Sequence, residues 1–469
     1  MTEKQLRLPY QYNNQETNFE NYYDVLKSLL SSDLDFHEKS SQYATHGIHS
    51  FPAKFPPQIP RKFIIGLTNI GDIILDPMCG SGTTILESML LDRRGIGFDI
   101  DPLALLMSKV KVSCYEKSLL ISNGQKIVKN SAQSVKNNSN QIEAELLDFF
   151  DEKTKDFVDY WFATETQIEL LALIKEINLI ENVVVRDFFK LVFSSIIITK
   201  SGGVSLAFDL GHTRPHRAKI AYSQNGDLLI GHEYINDPSP RVKFLTKHVK
   251  PAIVEFDNKY QSLTNTQNNQ ISDSLIPFIE FGNAENLPLE EETVDLVVTS
   301  PPYASNAIDY MRAHKFSLVW FGHQINDLSI KRRDYIGAEY TTDFQMESLP
   351  EICDDVIKKL SSKKPRKGAV LQRYYSEMVR SLREIYRVLK PGKAAIFVVG
   401  NSILGGIDTN IPECLLDIAS MVGFSRQVIG VRNLDRNRRM LPFGNNGQDS
   451  KSQIQQRMNE EYVLGFFKS

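Results

Sequence analysis

The run Ile73-Ile74-Leu75-Asp76-Pro77-Met78-Cys79-Gly80-Ser81-Gly82-Thr83-Thr84 constrains this chain more than any other stretch. An apolar strand ends in an Asp-Pro step and two glycines, and the following TTILESMLLDRR has helical spacing. Gly80 and Gly82 let the backbone reverse sharply and let a ligand approach it closely. A helix starting near Thr83 offers free N–H groups in its first turn. Asp76, at the strand end, is placed to hold a cation or an amino group of a ligand. The next strand, GIGFDI (95–100), carries Asp99 near its end, about 20 residues on, where a doubly wound fold places an acid for ribose hydroxyls. No Gly-Lys-Ser/Thr follows, so this is not a P-loop, and the Asp-Pro lead sets it apart from the dinucleotide fingerprint.

Strand-like runs resume only at PFIEF (277–281), VDLVVTS (294–300), KAAIFVVGN (393–401), SRQVIGVRN (425–433) and EYVLGFFK (461–468). Lys390, Pro391 and Gly392 read as a turn into the third of these. Seven strands alternating with helices predict an α/β fold with a doubly wound, Rossmann-like sheet. Between them, 115–270 is helix-patterned and polar, and NSAQSVKNNSNQ (130–141) and NTQNNQISDS (265–274) read as linkers. The expected organisation is a cofactor-binding part (1–114), a largely helical inserted domain (115–270) and a catalytic part (271–469).

VDLVVTSPPY ends a second strand in Ser300-Pro301-Pro302-Tyr303. Two prolines stop the strand and remove two N–H donors. The remaining rim offers carbonyl oxygens, one hydroxyl and one aromatic face, which suits an exocyclic amine on a flat base. Ser300 and the Pro301 carbonyl each accept an N–H, and Tyr303 stacks. None of the four cysteines follows a proline, which disfavours a covalent thiol route to a ring carbon. Those cysteines are far apart and form no CxxC pair, so neither a disulfide framework nor a metal site is expected.

The DPMCGSGTT string resembles motif I, and SPPY motif IV, of the S-adenosylmethionine-dependent DNA amino-methyltransferases, which modify N4 of cytosine or N6 of adenine. The resemblance covers about 46–110 and 277–469 and implies S-adenosylmethionine as cofactor. Asp76, Pro77, Met78, Cys79, Gly80, Ser81, Gly82 and Thr83 would border its methionine part and Asp99 its ribose. Asn283 stands where the family often has Asp near the adenine. HGIHSFPAKFPPQIP (46–60) is similar to the element that closes the cofactor pocket. Ser300, Pro301, Pro302 and Tyr303 become the catalytic set. The Ser form is typical of the N4-cytosine group, so N4 transfer in duplex DNA, to a base flipped from the stack, is expected. N6-adenine transfer, an RNA substrate and a non-catalytic DNA-binding subunit are the alternatives. The element order resembles the family's α arrangement, with target recognition in 115–270, and the setting implied is restriction–modification or defence with a cognate endonuclease as partner.

The net charge of −3 hides basic clusters at 212–219, 363–393 and 432–439. Arg214, Arg217, Arg366 and Arg438 are the expected nucleic-acid contacts. Neither a secretory-type apolar run near the start nor a span-length apolar run is present, so a cytoplasmic protein is expected.

Overall fold

A computed structural model describes residues 19–52, 54–210, 215–266, 276–304, 309–434 and 460–469. Seven strands form one sheet: β1 (Ile73–Asp76), β2 (Arg94–Asp99), β3 (Phe278–Phe281), β4 (Val294–Thr299), β5 (Leu389–Val399), β6 (Arg426–Asn433) and β7 (Glu460–Phe467). Their spatial order is β6-β7-β5-β4-β1-β2-β3. All run parallel except β7, which is antiparallel to both β5 and β6. The chain lays β1, β2 and β3 to one side and then returns to place β4 beside β1. This switch point opens a crevice at the carboxyl ends of β1 and β4, where such sheets bind ligands. The two motif loops leave from those two strand ends.

Helices cover both faces, which explains why β1 and β4 are buried throughout and read as unbroken apolar runs. Alternate residues point to opposite sides. Ile74, Leu296 and Ile396 pack with α1 (Phe19–Ser31) and α2 (Gln58–Leu67), while Leu75, Val297 and Phe397 pack beneath the long helix Pro365–Val388. After the glycine turn, α3 (Thr83–Leu90) and α4 (Pro102–Val112) follow β1 and β2. The predicted Lys390-Pro391-Gly392 turn is instead a bulge inside β5. Leu389 already pairs with Val294, and pairing resumes at Ala394 with Leu296. Gly392 absorbs the irregularity at φ +74°.

The segment between the sheet halves contains α5 (Lys117–Phe149), α6 (Glu152–Trp161), α7 (Thr164–Asn178), α8 (Val183–Ile197) and α9 (Ala252–Thr266). Short strands between α8 and α9 form a two-stranded and a three-stranded sheet, which residue patterning did not show. The Asn-rich stretch 130–141 is not a linker but lies within α5. Ile127, Ser131, Ile142 and Leu146 bury one face of that helix, and a kink at Asn138 accommodates the polar run. Residues 267–275 lie outside the described residues. Helices α5–α9 share one apolar core with Leu103 and Met107 of α4 and with Phe316 and Trp320. Among the described residues, no helix is long and apolar enough to cross a membrane.

Candidate functional site

The turn after β1 is built by its glycines. Gly80 and Gly82 adopt φ +49° and +74°, a region that costs an ordinary side chain strain. A Cβ at Gly82 would lie 2.7 Å from Ser108 Oγ on α4, so Gly82 also permits close packing of turn and helix. A Cβ at Gly80 would come within 3.3 Å of the Phe51 ring and narrow the space above the loop.

This turn, the end of β2, the loop after β4 and the segment around Phe51 enclose one cleft. Of the sequence-predicted residues, Pro77, Met78, Cys79, Gly80, Ser81, Thr83, Asp99, Asn283, Ser300 and Pro302 line it. Asp76 sits beneath the loop instead. Its Oδ1 accepts from Thr299 Oγ1 at 2.7 Å and from the Met78 N–H at 3.3 Å, tying the ends of β1 and β4 together. Burial pushes its carboxyl up to about 7. Gly82, Pro301 and Tyr303 are also off the lining. The Tyr303 ring packs against Gly400, where a Cβ would lie 2.6 Å away, and its hydroxyl donates to Glu461 Oε1 at 3.4 Å. Glu461 is in turn ion-paired to Arg432 across β6 and β7. Asn401, at the end of β5, fastens its own loop: its Oδ1 accepts from the Ser402 and Ile411 N–H groups.

Asp99 is organised by the turn. Its Oδ2 accepts the Gly80 N–H at 2.7 Å and its Oδ1 the Asp101 N–H at 2.9 Å. Burial and the neighbouring Asp101 charge push it up to about 6. Ser300 Oγ donates to the Val398 carbonyl at 3.0 Å. That bond uses its only proton, so the hydroxyl has lone pairs alone to offer elsewhere.

The segment 46–60 is anchored to α3 through Glu87, which is fully buried. Glu87 accepts from Tyr43 Oη (2.6 Å), His46 Nε2 (2.8 Å) and Arg61 (3.1 Å). This places Phe51, Lys54 and Phe55 on the cleft wall. Lys54 Nζ donates to the His46 carbonyl at 2.6 Å, and burial lowers its pKa.

Ile100, Asp101, Tyr310, Tyr335 and Ile336 also line the cleft, and sequence reasoning missed them. Asp101-Pro102 was readable as a helix start, since Asp101 Oδ1 caps α4. Its second role was not readable. Asp101 Oδ2 accepts from His314 Nδ1 at 2.7 Å and from Tyr335 Oη at 2.8 Å, over more than 200 residues of chain.

Of the basic residues, the guanidinium of Arg217 lies 4.4 Å over the Tyr160 ring, and Arg366 is exposed. Arg214 and Arg438 lie outside the described residues. Among the described residues, six of the ten basic residues in 363–393 are ion-paired within the protein: Arg373 with Glu377, Arg380 with Glu285 and Glu347, Arg383 with Glu347, Arg387 with Glu384, and Lys390 and Lys393 with Asp295.

A parallel sheet with one antiparallel strand, and a glycine turn bonded to the acid that ends the next strand beside the switch point, define a Rossmann-like fold with a cleft suited to a nucleoside cofactor. Residues 2–109 match the family model described as N6/N4 DNA methylase. The chain is 25% identical to the type II methyltransferase M.MvaI of Kocuria varians, over 90% of this chain and 92% of that one. It is 24% identical to the type II methyltransferase M.BsoBI of Geobacillus stearothermophilus, over 83% and 80%. A shorter stretch is 39% identical to M.MjaII of Methanocaldococcus jannaschii, over 20% and 17%. Residues 2–109 thus match the DNA amino-methyltransferase family, the chain is similar over most of its length to type II methyltransferases, and the cofactor these similarities support is S-adenosylmethionine. The lining is compatible with that molecule: the acid at the end of β2 can accept from hydroxyls, Asn283 offers an amide, Lys54 a nitrogen donor, and Phe51, Ile100 and Ile336 apolar walls.

Proposed function

We propose that this protein methylates, site-specifically, the exocyclic N4 amine of a cytosine flipped out of duplex DNA. The observation that carries this reading is Ser300, whose hydroxyl is spent on the Val398 carbonyl at the edge of the cleft that Asp99 lines. A group with only lone pairs to offer accepts an N–H and cannot donate to the nitrogen that must react. Bound in the cleft, S-adenosylmethionine supplies an electrophilic methyl group. Asp99 and Asn283 hold the nucleoside end, and Lys54 takes the carboxylate. Ser300 and the Pro301 carbonyl accept the two N–H bonds and turn the nitrogen lone pair out of conjugation. Tyr303, its hydroxyl held by Glu461, presents its ring to the base. Transfer is a direct displacement, so alignment supplies most of the help.

The neutral Ser300, in place of an acid, favours cytosine N4 over adenine N6. Incubation with mixed duplex DNA, digestion to nucleosides and mass analysis test this. N4-methylcytosine is expected. N6-methyladenine in its place would overturn the cytosine assignment and keep the scaffold reading. Methylation of RNA alone would overturn the DNA assignment.

A further inference from the structure

A second cavity lies in the inserted segment, between the end of α8, residues 199–209, the strand Thr246–His248 and α9. Its lining is basic: Lys200, Lys247, His248, Lys250 and Lys259 against Asp209 and Glu255. Both acids are engaged, Asp209 by His216 at 2.9 Å and Glu255 by Lys250 at 3.1 Å. Among the described residues, no ion pair engages Lys200 or Lys259. Lys247 forms the floor. Its Nζ donates to the carbonyls of Ser201 (2.8 Å), Ser205 (2.7 Å) and Ala207 (2.6 Å), so it ties down the loop that follows α8.

A contact links the cavity wall to the segment that lines the cofactor cleft. Ser195 lines the cavity, and the preceding Ser194 contacts His49 Nε2 at 2.9 Å; His49 Nδ1 donates to the Ser50 carbonyl, so Nε2 accepts from the serine, in the same segment that carries Phe51 to the cleft wall. On its outer side, the strand 207–209 pairs with His216 and Arg217. The cavity is thus an open trough whose lining carries four lysines.

We infer that this trough holds backbone phosphates of the DNA duplex, with Lys200 and Lys259 as the main contacts and Lys250, which a phosphate would share with Glu255, beside them. The inference rests on the DNA-methyltransferase reading above. Charge complementarity selects the occupant: a polyanion satisfies several cations spaced along an open groove. Phosphate contacts of this kind set position on the duplex without reading its sequence.

The test uses the full chain with Lys200, Lys250 and Lys259 all changed to Gln, beside a matched variant with Lys358, Lys359 and Lys363 changed to Gln. Thermal unfolding and calorimetric cofactor binding confirm that each variant is folded. DNA affinity is then measured from 50 to 200 mM salt. The trough variant is expected to bind DNA at least about tenfold more weakly, with a log–log salt slope shallower by roughly 2 to 3. Its kcat at saturating DNA should stay near that of the parent. An unchanged slope and affinity overturn the trough assignment while parental DNA methylation stands. A loss confined to the Lys358 variant overturns it too and moves the phosphate path to the other basic face. A parent protein that methylates no DNA overturns the underlying reading itself.

Discussion

Asp99 combines two demands in one carboxylate. Both oxygens already accept backbone N–H groups, yet burial and Asp101 hold its pKa near 6. In the proposed role, ribose hydroxyls donate to the ionised form, so cofactor binding would favour deprotonation. Below about pH 6 the acid must first lose its proton, and affinity should fall up to tenfold per pH unit; above it, affinity should level off. Calorimetry from pH 5 to 8 checks this. Asp99→Asn should flatten the profile and weaken binding by about 1–3 kcal/mol. A second expectation concerns Gly400. In Gly400→Ala, the new Cβ would sit 2.6 Å from the Tyr303 ring and push it aside. Because the Tyr303 hydroxyl is held by Glu461, the ring has little freedom to slide. The KM for DNA should rise by an amount bounded by base–aromatic stacking, about 1–3 kcal/mol. Cofactor affinity should not move, since Tyr303 is off the cofactor cleft lining. A matched loss of cofactor binding would place Tyr303 elsewhere in the mechanism.

Among the elements, the segment 46–60 depends most on one distant residue. It has no regular structure before α2, so its shape comes from what holds it: Tyr43, His46 and Arg61, all on Glu87 of α3. Glu87→Ala would leave a buried His and a half-buried tyrosine hydroxyl without their acceptor. We expect a loss of about 2–4 kcal/mol in denaturant unfolding, discounted for the part-exposed Arg61. Cofactor affinity should fall with it, because Phe51 and Lys54 sit on that segment. Glu87→Gln keeps acceptors for two of the three donors and should recover much of both. Loss of stability with cofactor affinity intact would show that the cleft wall does not need this anchor.

Taken as one molecule, the inserted helices and the sheet layer are joined by apolar surface. Trp320 is fully buried and touches the rings of Phe150, Phe162 and Phe193, while Leu103 and Met107 of α4 belong to the same core. A fragment spanning 115–266 would expose that surface, and so would the remainder. Calorimetric melting of the full chain should therefore show one transition, and Trp320→Ala should lower it as a whole, by about 3–5 kcal/mol of stability. Two separate transitions, with only one affected by Trp320→Ala, would show that the insertion folds independently.

The seven sheet strands and the two motif turns were legible along the chain, because each depends on local chemistry. Apolar runs bounded by Gly, Pro and Asp mark buried parallel strands, and glycines at φ > 0 mark a turn that other residues resist. Asn-rich composition misled at 130–141, since a helix needs only one apolar face and Ile127, Ser131 and Ile142 supply it. Likewise Arg380 and Arg383, unlike Arg373 and Arg387, which pair within their own helix with Glu377 and Glu384, looked like part of a free basic face because their carboxylate partners, Glu285 and Glu347, lie on other segments. The pairing of Asp101 with His314 and Tyr335, the burial of Asp76 under the loop, and the trough of Lys200, Lys250 and Lys259 share that origin. Local propensity acts over a few residues. Which charges meet across hundreds of residues follows only from how the helices pack on the sheet.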